Sequence, residues 1–252
     1  MNKKFSFILL GRIIFSTGIA ALAILCIISK DFILGRPPEW SAGDVLNPAL
    51  AYISAVVLII AAIAIILKKK GAIAALIIAI LILLFSVSRH LPVFMNDWLN
   101  AYKAMALFGG SLITAASFYY EDKNIGNEKL KRRFVLIGCI LLAAFFIASG
   151  YAHFKFVDFV KEFIPAYIPF RLFFAYFCGV CLIAGGIGLL IPQTRRWAAL
   201  LSGIMLMGWF VLLHIPRFIA NTNDVSDRMG LCESFSFAGI FFVLAGILAR
   251  YK

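Results

Sequence analysis

The sequence predicts an all-α integral membrane protein with eight transmembrane helices, arranged as two tandem four-helix bundles. Hydrophobic residues make up 63% of the chain and charged residues 14%, whereas soluble domains are about half apolar and a quarter charged. Eight apolar stretches come close to the ~20 residues that an α-helix needs to cross a bilayer. Similar landmarks also recur in the two halves, and this recurrence predicts the division into two bundles.

The eight predicted helices are separated by short polar segments. The first stretch follows Lys3 and Lys4, as in a signal peptide, but it is too long for the apolar region of one and is interpreted as a retained helix. Basic residues 68–70 separate the second stretch from the third, and the polar segment 121–133 divides the halves. The predicted helices are 5–28, 48–67, 71–88, 101–119, 133–152, 170–191, 196–214 and 230–250.

An internal repeat is predicted from the third helix of each half. That helix ends in a His-x-Pro sequence, which begins at His90 in one half and at His214 in the other. We therefore divide the chain into a first four-helix unit (1–120), a basic linker (121–132) and a second four-helix unit (133–252). Four spans per unit is an even number, so both units enter the membrane from the same side and are related by a pseudo-two-fold axis along its normal.

The placement of charge predicts the orientation. Lys and Arg concentrate at the N-terminus, in the tight turns 68–70 and 195–196 and in the linker, whereas most acidic residues fall in the other loops. Basic turns belong on the cytoplasmic side, so both termini are predicted to be cytoplasmic in a multi-pass protein of a bacterial-type inner membrane. The net charge of +12 lies between apolar runs, which favours membrane lipids and not nucleic acid as its partner.

Two polar features within this topology have alternative interpretations. Arg12, about two turns into the first helix, either extends back to the headgroups or has a buried partner. The segment 154–164 places Lys155, Asp158 and Lys161 at helical spacing with phenylalanines on the other face. This pattern is typical of a short amphipathic helix at the outer interface, acting as a lid over a cavity or as a simple anchor.

Part of the second half resembles the DoxX-like group of small membrane proteins, related to MauE. Tyr167-Ile168-Pro169 leads into the glycine-rich segment 179–192 and then into the basic turn 193–200. The resemblance is best over about residues 138–216. It implies a four-helix unit and a redox task, because members include a thiosulfate:quinone oxidoreductase subunit and proteins that support periplasmic disulfide chemistry. Two positions depart from the group: Cys181 stands where relatives often carry Glu, and the sequence at 214–216 replaces a Pro-Ala-Asn type ending.

The candidate catalytic residues are His90, His153, His214, Arg89 and Arg217, all predicted at outer helix ends. Together they would line one outward-facing pocket. In a quinone site, a histidine would donate to one carbonyl and an arginine would stabilise the reduced oxygen. The same imidazoles could instead bind a metal or ligate haem from paired helices. In a purely structural alternative, each histidine bonds a carbonyl freed by the following proline.

Cys178 and Cys181 form a second candidate site, because residues three apart share a helix face and their sulfurs could approach bonding distance. They would act as a redox thiol pair. However, reactive thiols of this motif usually lie at exposed helix N-termini, whereas these lie inside a span. The alternative is that they are small packing residues beside the glycines of the same helix.

Two functions fit these patterns. The first is a membrane redox component, quinone-linked, that exchanges electrons with quinone or with an extracytoplasmic redox protein. The second is a non-enzymatic subunit or small-solute carrier on the same scaffold. The first would make the protein part of an enzyme and the second would not.

Overall fold

The computed structural model describes residues 6–39, 46–122 and 127–250. Within these ranges the regular structure is entirely helical, without β-strands. Eight long helices and one short helix are present in the described chain. They are α1 (Phe7–Ser29), α2 (Leu46–Ile66), α3 (Gly71–Val93), α4 (Trp98–Glu121), α5 (Glu128–Lys155), α6 (Val157–Phe163), α7 (Arg171–Leu190), α8 (Arg195–Ala220) and α9 (Val225–Arg250).

Seven of the described helices are long and apolar enough to cross a membrane, which makes the chain an α-helical membrane protein by length and composition. The other long helix, α4, has 24 residues and is therefore long enough. It is less apolar because it contains Asn100, Lys103 and several serines and glycines. More than half of its residues are buried against other helices. An eighth span stays a prediction.

Helix ends differ from the predicted ends for local reasons. α5 begins at Glu128, inside the basic linker, because the Asn127 side chain accepts from the Lys129 amide at 2.8 Å and caps the helix. α8 continues through Pro216 to Ala220, since the chain widens into a π-helical segment over Phe210–His214. A similar π-helical segment occupies Leu83–Val87 of α3. Such segments are rare and are frequent at functional sites, and these two occur in the third long helix of each half.

The predicted halves pack extensively on each other. α1 packs along α9, and α4 packs along α5, so that the main inter-half contacts are as close as the contacts within each half. Glycines permit this approach: a Cβ on Gly11 would lie 2.6 Å from the Gly239 carbonyl oxygen, and one on Gly109 would lie 3.1 Å from the Gly138 Cα. The separation into two tandem bundles is therefore not confirmed. Both interfaces between the halves, α1 with α9 and α4 with α5, contain closely packed glycines.

Arg12 has buried partners. Its side chain is fully enclosed, its Nη1 lies 2.6 Å from Glu121 Oε2, and its Nε donates to Ser117 Oγ at 2.8 Å. The guanidinium also lies over the Phe118 ring. Of the two sequence interpretations, the buried partner is the one found. This ionic group joins α1 to the C-terminal end of α4.

The opposite end of the bundle carries His90, His153 and His214 and is called the histidine end below. Here the segment 30–39 turns back into the bundle, and Phe32 and Leu34 are buried in the core. Gly35 makes the turn with a φ of +77°, and a Cβ there would lie 2.8 Å from the Ala104 Cα. Only glycine fits both the backbone conformation and the space. The next residue, Arg36, is thereby directed towards α9.

Candidate functional site

A cavity of about 430 Å³ lies at the histidine end. Its walls come from α5, α6, α7, α8 and α9, with Arg36 and the first turns of α4 closing one side. This volume is in the range of small-molecule sites, which are mostly apolar with a few placed polar groups. The large aromatic side chains of the walls include Phe145, Phe146, Phe156, Phe174, Trp209 and Phe237.

The polar part of the cavity is built around Glu233 of α9, whose side chain is only 5% exposed. Glu233 Oε2 accepts from Arg36 Nε at 3.0 Å and from Lys103 Nζ at 3.2 Å. A buried carboxylate is costly unless it is paired and hydrogen-bonded, and these two cations provide the pairing. The cluster therefore joins the loop after α1, helix α4 and helix α9 at one point.

Two buried polar atoms in this region have no hydrogen-bond partner among the described residues: Glu233 Oε1 and His214 Nδ1. Both residues line the cavity. His214 lies against Gly230, where a Cβ would be 3.1 Å from Nδ1, and its ring faces Phe163 edge-on at 6.3 Å between centroids. Buried polar groups are normally paired, so these two atoms are available to a ligand or to water.

Arg36 is held in position by Ser226, which also lines the cavity, and by the fold of its own loop. Its guanidinium donates to Ser226 Oγ at 2.7 Å and to the Ser226 carbonyl at 3.0 Å. The loop itself is held by Arg89, which binds both carboxylate oxygens of Asp31 at 2.7 and 3.0 Å and donates to the Pro38 carbonyl at 2.8 Å. His90 donates from Nε2 to the Gly35 carbonyl at 3.2 Å, and its Nδ1 lies 3.5 Å from an oxygen of Asp97.

The short helix α6 forms one wall of the cavity through Phe159, Val160 and Phe163. The amphipathic helix expected over 154–164 is thus present as Val157–Phe163, and its apolar face lines the cavity. Arg217 fixes this wall: it donates to the Phe163 carbonyl at 3.1 Å, and its guanidinium lies 3.7 Å from the Phe163 ring centroid. The other side of Arg217 binds Asp227, with Nε 2.8 Å from Oδ1.

The structure brings only some of the predicted site residues together. His153, His214 and Cys178 line the cavity. His90 and Arg89 instead hold the loop 31–38, and Arg217 supports the wall without lining it. His153 donates from Nδ1 to the Ser149 carbonyl at 2.8 Å. In its neutral form this bond leaves Nε2 as the acceptor.

The cysteines are all free thiols, so Cys178 and Cys181 are not joined by a disulfide. Cys178 lies among the lining residues with Trp209 beside it, whereas Cys181, one turn further along α7, is partly exposed and does not line the cavity. Within the described residues, no group of three or more His, Cys, Asp and Glu side chains is arranged to hold a metal ion.

Sequence reasoning missed the charged cluster. Glu233 pairs with Arg36 and Lys103, and none of these three residues was among the candidates named from the sequence. Lys103 carried a usable signal, because ionisable residues inside membrane helices usually mark functional sites. Arg36 carried none, since its position depends on the fold of the loop.

Comparison with known protein families gives a match in the second half of the chain. Residues 142–223, about a third of the chain, match the family described as "Domain of unknown function (DUF8561)". This region includes His153, Cys178 and His214 and much of the aromatic wall, but Arg36, Lys103 and Glu233 lie outside it. Neither a curated protein nor a solved structure matches the chain.

Proposed function

We propose that this protein is a quinone-linked membrane redox component, and that the quinone ring occupies the cavity at the histidine end. The observation that carries the proposal is an aromatic-walled cavity of about 430 Å³ whose polar part presents unpaired Glu233 Oε1 and His214 Nδ1. A quinone has this amphipathic character, with a flat apolar ring between two oxygens. The DoxX-like resemblance of the second half favours the same class.

Three polar residues of the cavity have a direct role in this proposal. His214 Nδ1 or Lys103 Nζ donates to a quinone oxygen, and Glu233 Oε1 accepts from a quinol hydroxyl. Lys103 then stabilises the negative charge that develops when that hydroxyl loses its proton, as preorganised donors do at other sites where charge develops. Aromatic side chains such as Phe174 and Trp209 contact the ring faces.

The reaction is the oxidation of a quinol by an extracytoplasmic redox protein. The quinol loses two electrons and two protons and becomes the quinone. The electrons reduce the partner protein. The protons pass to Glu233 Oε1 and to His214, and from there to water. In the reverse direction the same groups return protons to the quinone. The chain therefore supplies binding and proton transfer, and the partner supplies the electron acceptor.

The proposal places the cavity on the outer face of a bacterial-type inner membrane. Eight spans with both termini in the cytoplasm would put the histidine end outside, because the Lys- and Arg-rich turns would face the cytoplasm. A haem held by His153 and His214 is the second candidate cofactor, since both imidazoles line the same cavity. It is separable from the quinone by absorption spectroscopy.

The experiment begins with the full-length protein purified in mild detergent. Organic extraction followed by mass spectrometry should find a quinone close to one per protein. Proteoliposomes are loaded with quinol, and ferricyanide, a one-electron acceptor that does not cross membranes, is added outside. The ferricyanide should be reduced faster than with quinol-loaded liposomes that lack the protein. Glu233→Gln and His214→Phe should lose most of both signals.

Arg171→Gln is the matched control, because Arg171 lies on α7, pairs with the exposed Glu162 and does not line the cavity. It should retain bound quinone and ferricyanide reduction. If no quinone is recovered and ferricyanide is reduced no faster than with liposomes that lack the protein, the non-enzymatic subunit or solute carrier becomes the better function. A haem absorption band abolished by His214→Phe would replace the quinone with haem.

A further inference from the structure

We infer that the natural ligand of the cavity is an acidic ring compound whose polar group carries one negative charge, so that the protein selects ionised quinoid molecules over neutral ones. This inference takes the location of the ligand from the proposed function and adds the charge of the ligand. Two observations support this charge: the cations of the lining outnumber its anions, and Lys103 has hydrogen-bond donors left for a ligand.

The charges that line the cavity do not balance. Among the described lining residues, the groups that are ionised at their ordinary pKa values are Arg36, Lys103 and Glu233, two cations against one anion. Of the neighbouring anions outside the lining, Asp227 binds Arg217. Asp97 is nearer the surface, accepts from the neutral Asn100 side chain at 2.8 Å, and acts on Lys103 only from outside the wall. The lining therefore holds one more cation than anion in a region walled by aromatic side chains, where a charge without a partner is costly.

The excess charge is accessible through Lys103. Arg36 directs its three nitrogens to Glu233 and Ser226. Lys103 has one hydrogen-bond partner among the described side chains, Glu233, whereas an ammonium carries three N–H donors. Its remaining donors are therefore free for a ligand, and its side chain is 15% exposed at the cavity wall. A hydrogen bond from an ammonium to an ionised oxygen is about twice as strong as one between neutral groups.

Glu233 Oε1 determines which second group the ligand must carry. A carboxylate oxygen repels an anion, so the ionised oxygen of the ligand lies at Lys103, and Oε1 receives a hydroxyl of the ligand or a water. A ring that carries both an ionised oxygen and a second oxygen able to become a hydroxyl, such as a hydroxyquinone, satisfies both groups. A neutral quinone satisfies Oε1 only after reduction and leaves the excess charge uncompensated.

The test compares two quinones that differ in one substituent. Menadione is a neutral naphthoquinone with a ring methyl group, whereas lawsone carries a ring hydroxyl in its place and is ionised at neutral pH. Naphthoate is an acid of similar size without quinone oxygens. Binding of each to the full-length protein in detergent is followed by quenching of tryptophan fluorescence, with Trp209→Phe identifying the signal from the cavity wall.

Lawsone should bind on the order of tenfold more tightly than menadione, because it gains a charge-assisted hydrogen bond. Lys103→Gln should remove this preference, Lys103→Arg should keep part of it, and Lys161→Gln, on the outside of α6, should change nothing. Equal affinity for the two quinones would overturn the charge assignment and leave the quinone site intact. Naphthoate binding as tightly as lawsone, without quinol oxidation, would uphold the charge and overturn the redox function. If none of the three binds, both are overturned.

Discussion

Arg36 Nε donates to Glu233 Oε2 at 3.0 Å, joining the loop after the first helix to the last helix of the chain. Lys103 shares the same oxygen, at 3.2 Å. The carboxylate is nearly inaccessible, so it cannot exchange these partners for water. The pair therefore acts both as a tie between the two predicted halves and as the polar part of the cavity.

Replacement of Glu233 should lower stability as well as ligand binding. Glu233→Gln leaves two partly buried cations without their anion, and breaking a fully buried pair costs about 3–5 kcal/mol, which is the upper bound here. Thermal unfolding in detergent should show a clear fall in Tm. Asp158→Asn is the control, because that side chain is 91% exposed, and its Tm should not change. An unchanged Tm for Glu233→Gln would mean that the cations find other partners.

Gly230→Ala should reduce ligand affinity without destabilising the protein. The new methyl group would lie 3.1 Å from His214 Nδ1 and would occupy part of the cavity. Alanine is favoured over glycine in a helix by about 1 kcal/mol, so stability should be kept or raised. Menadione affinity should fall, as measured by tryptophan quenching. Gly208→Ala is the matched control, since a Cβ there would meet no side chain and no more distant backbone of the described residues within 4 Å. Undiminished affinity in Gly230→Ala would show that the ligand does not approach His214.

Arg89→Gln should act on the cavity from a distance. Arg89 binds Asp31 and the Pro38 carbonyl but does not line the cavity. Its loss should loosen the loop that carries Arg36. Hydrogen–deuterium exchange should become faster at the amides of residues 32–36, and menadione affinity should fall with it. In Arg171→Gln neither quantity should change. Unchanged exchange in Arg89→Gln would show that the buried Phe32 and Leu34 hold the loop unaided.

Thiol labelling should distinguish the cysteines by their surroundings. Cys181 is partly exposed, Cys178 is 7% exposed at the cavity wall, and Cys26 and Cys139 are fully buried. A lipophilic maleimide should therefore label Cys181 first and Cys178 more slowly, and should leave Cys26 and Cys139 unmodified, as read by peptide mass spectrometry. Bound menadione should protect Cys178 only. Protection of Cys181 and not Cys178 would place the ligand on the other face of α7.

The long helices were predictable because hydrophobic length depends only on local sequence, and each predicted stretch coincides with one long helix, of which seven qualify as spans. The ends were less predictable. α8 continues past Pro216 because the π-helical segment before it changes the register of the backbone, and the sequence alone contains no simple signal for such a segment. α4 shows a different case: a helix was predicted over 101–119 and is present over Trp98–Glu121, but its small and polar residues serve burial between helices.

The candidate site was predictable in part. His153, His214 and Cys178 were named from their residue type and position and do line one cavity. His90 and Arg89 lie at the same end of the bundle, but a shared end does not imply a shared wall, and they face the loop 31–38. The contact of Arg36 with Glu233 depends on how the whole chain packs, so no local pattern could predict it.

The charged residues of the cavity come from both predicted halves of the chain. Both cations of the cavity, Arg36 and Lys103, precede the linker, whereas the aromatic walls and the carboxylate follow it. If the two halves arose by duplication, the first half now supplies the cations of a cavity whose walls belong to the second, and its own loop after α1 is packed into the core through Phe32 and Leu34. Neither copy can then diverge alone, because a change in the first alters recognition in the second.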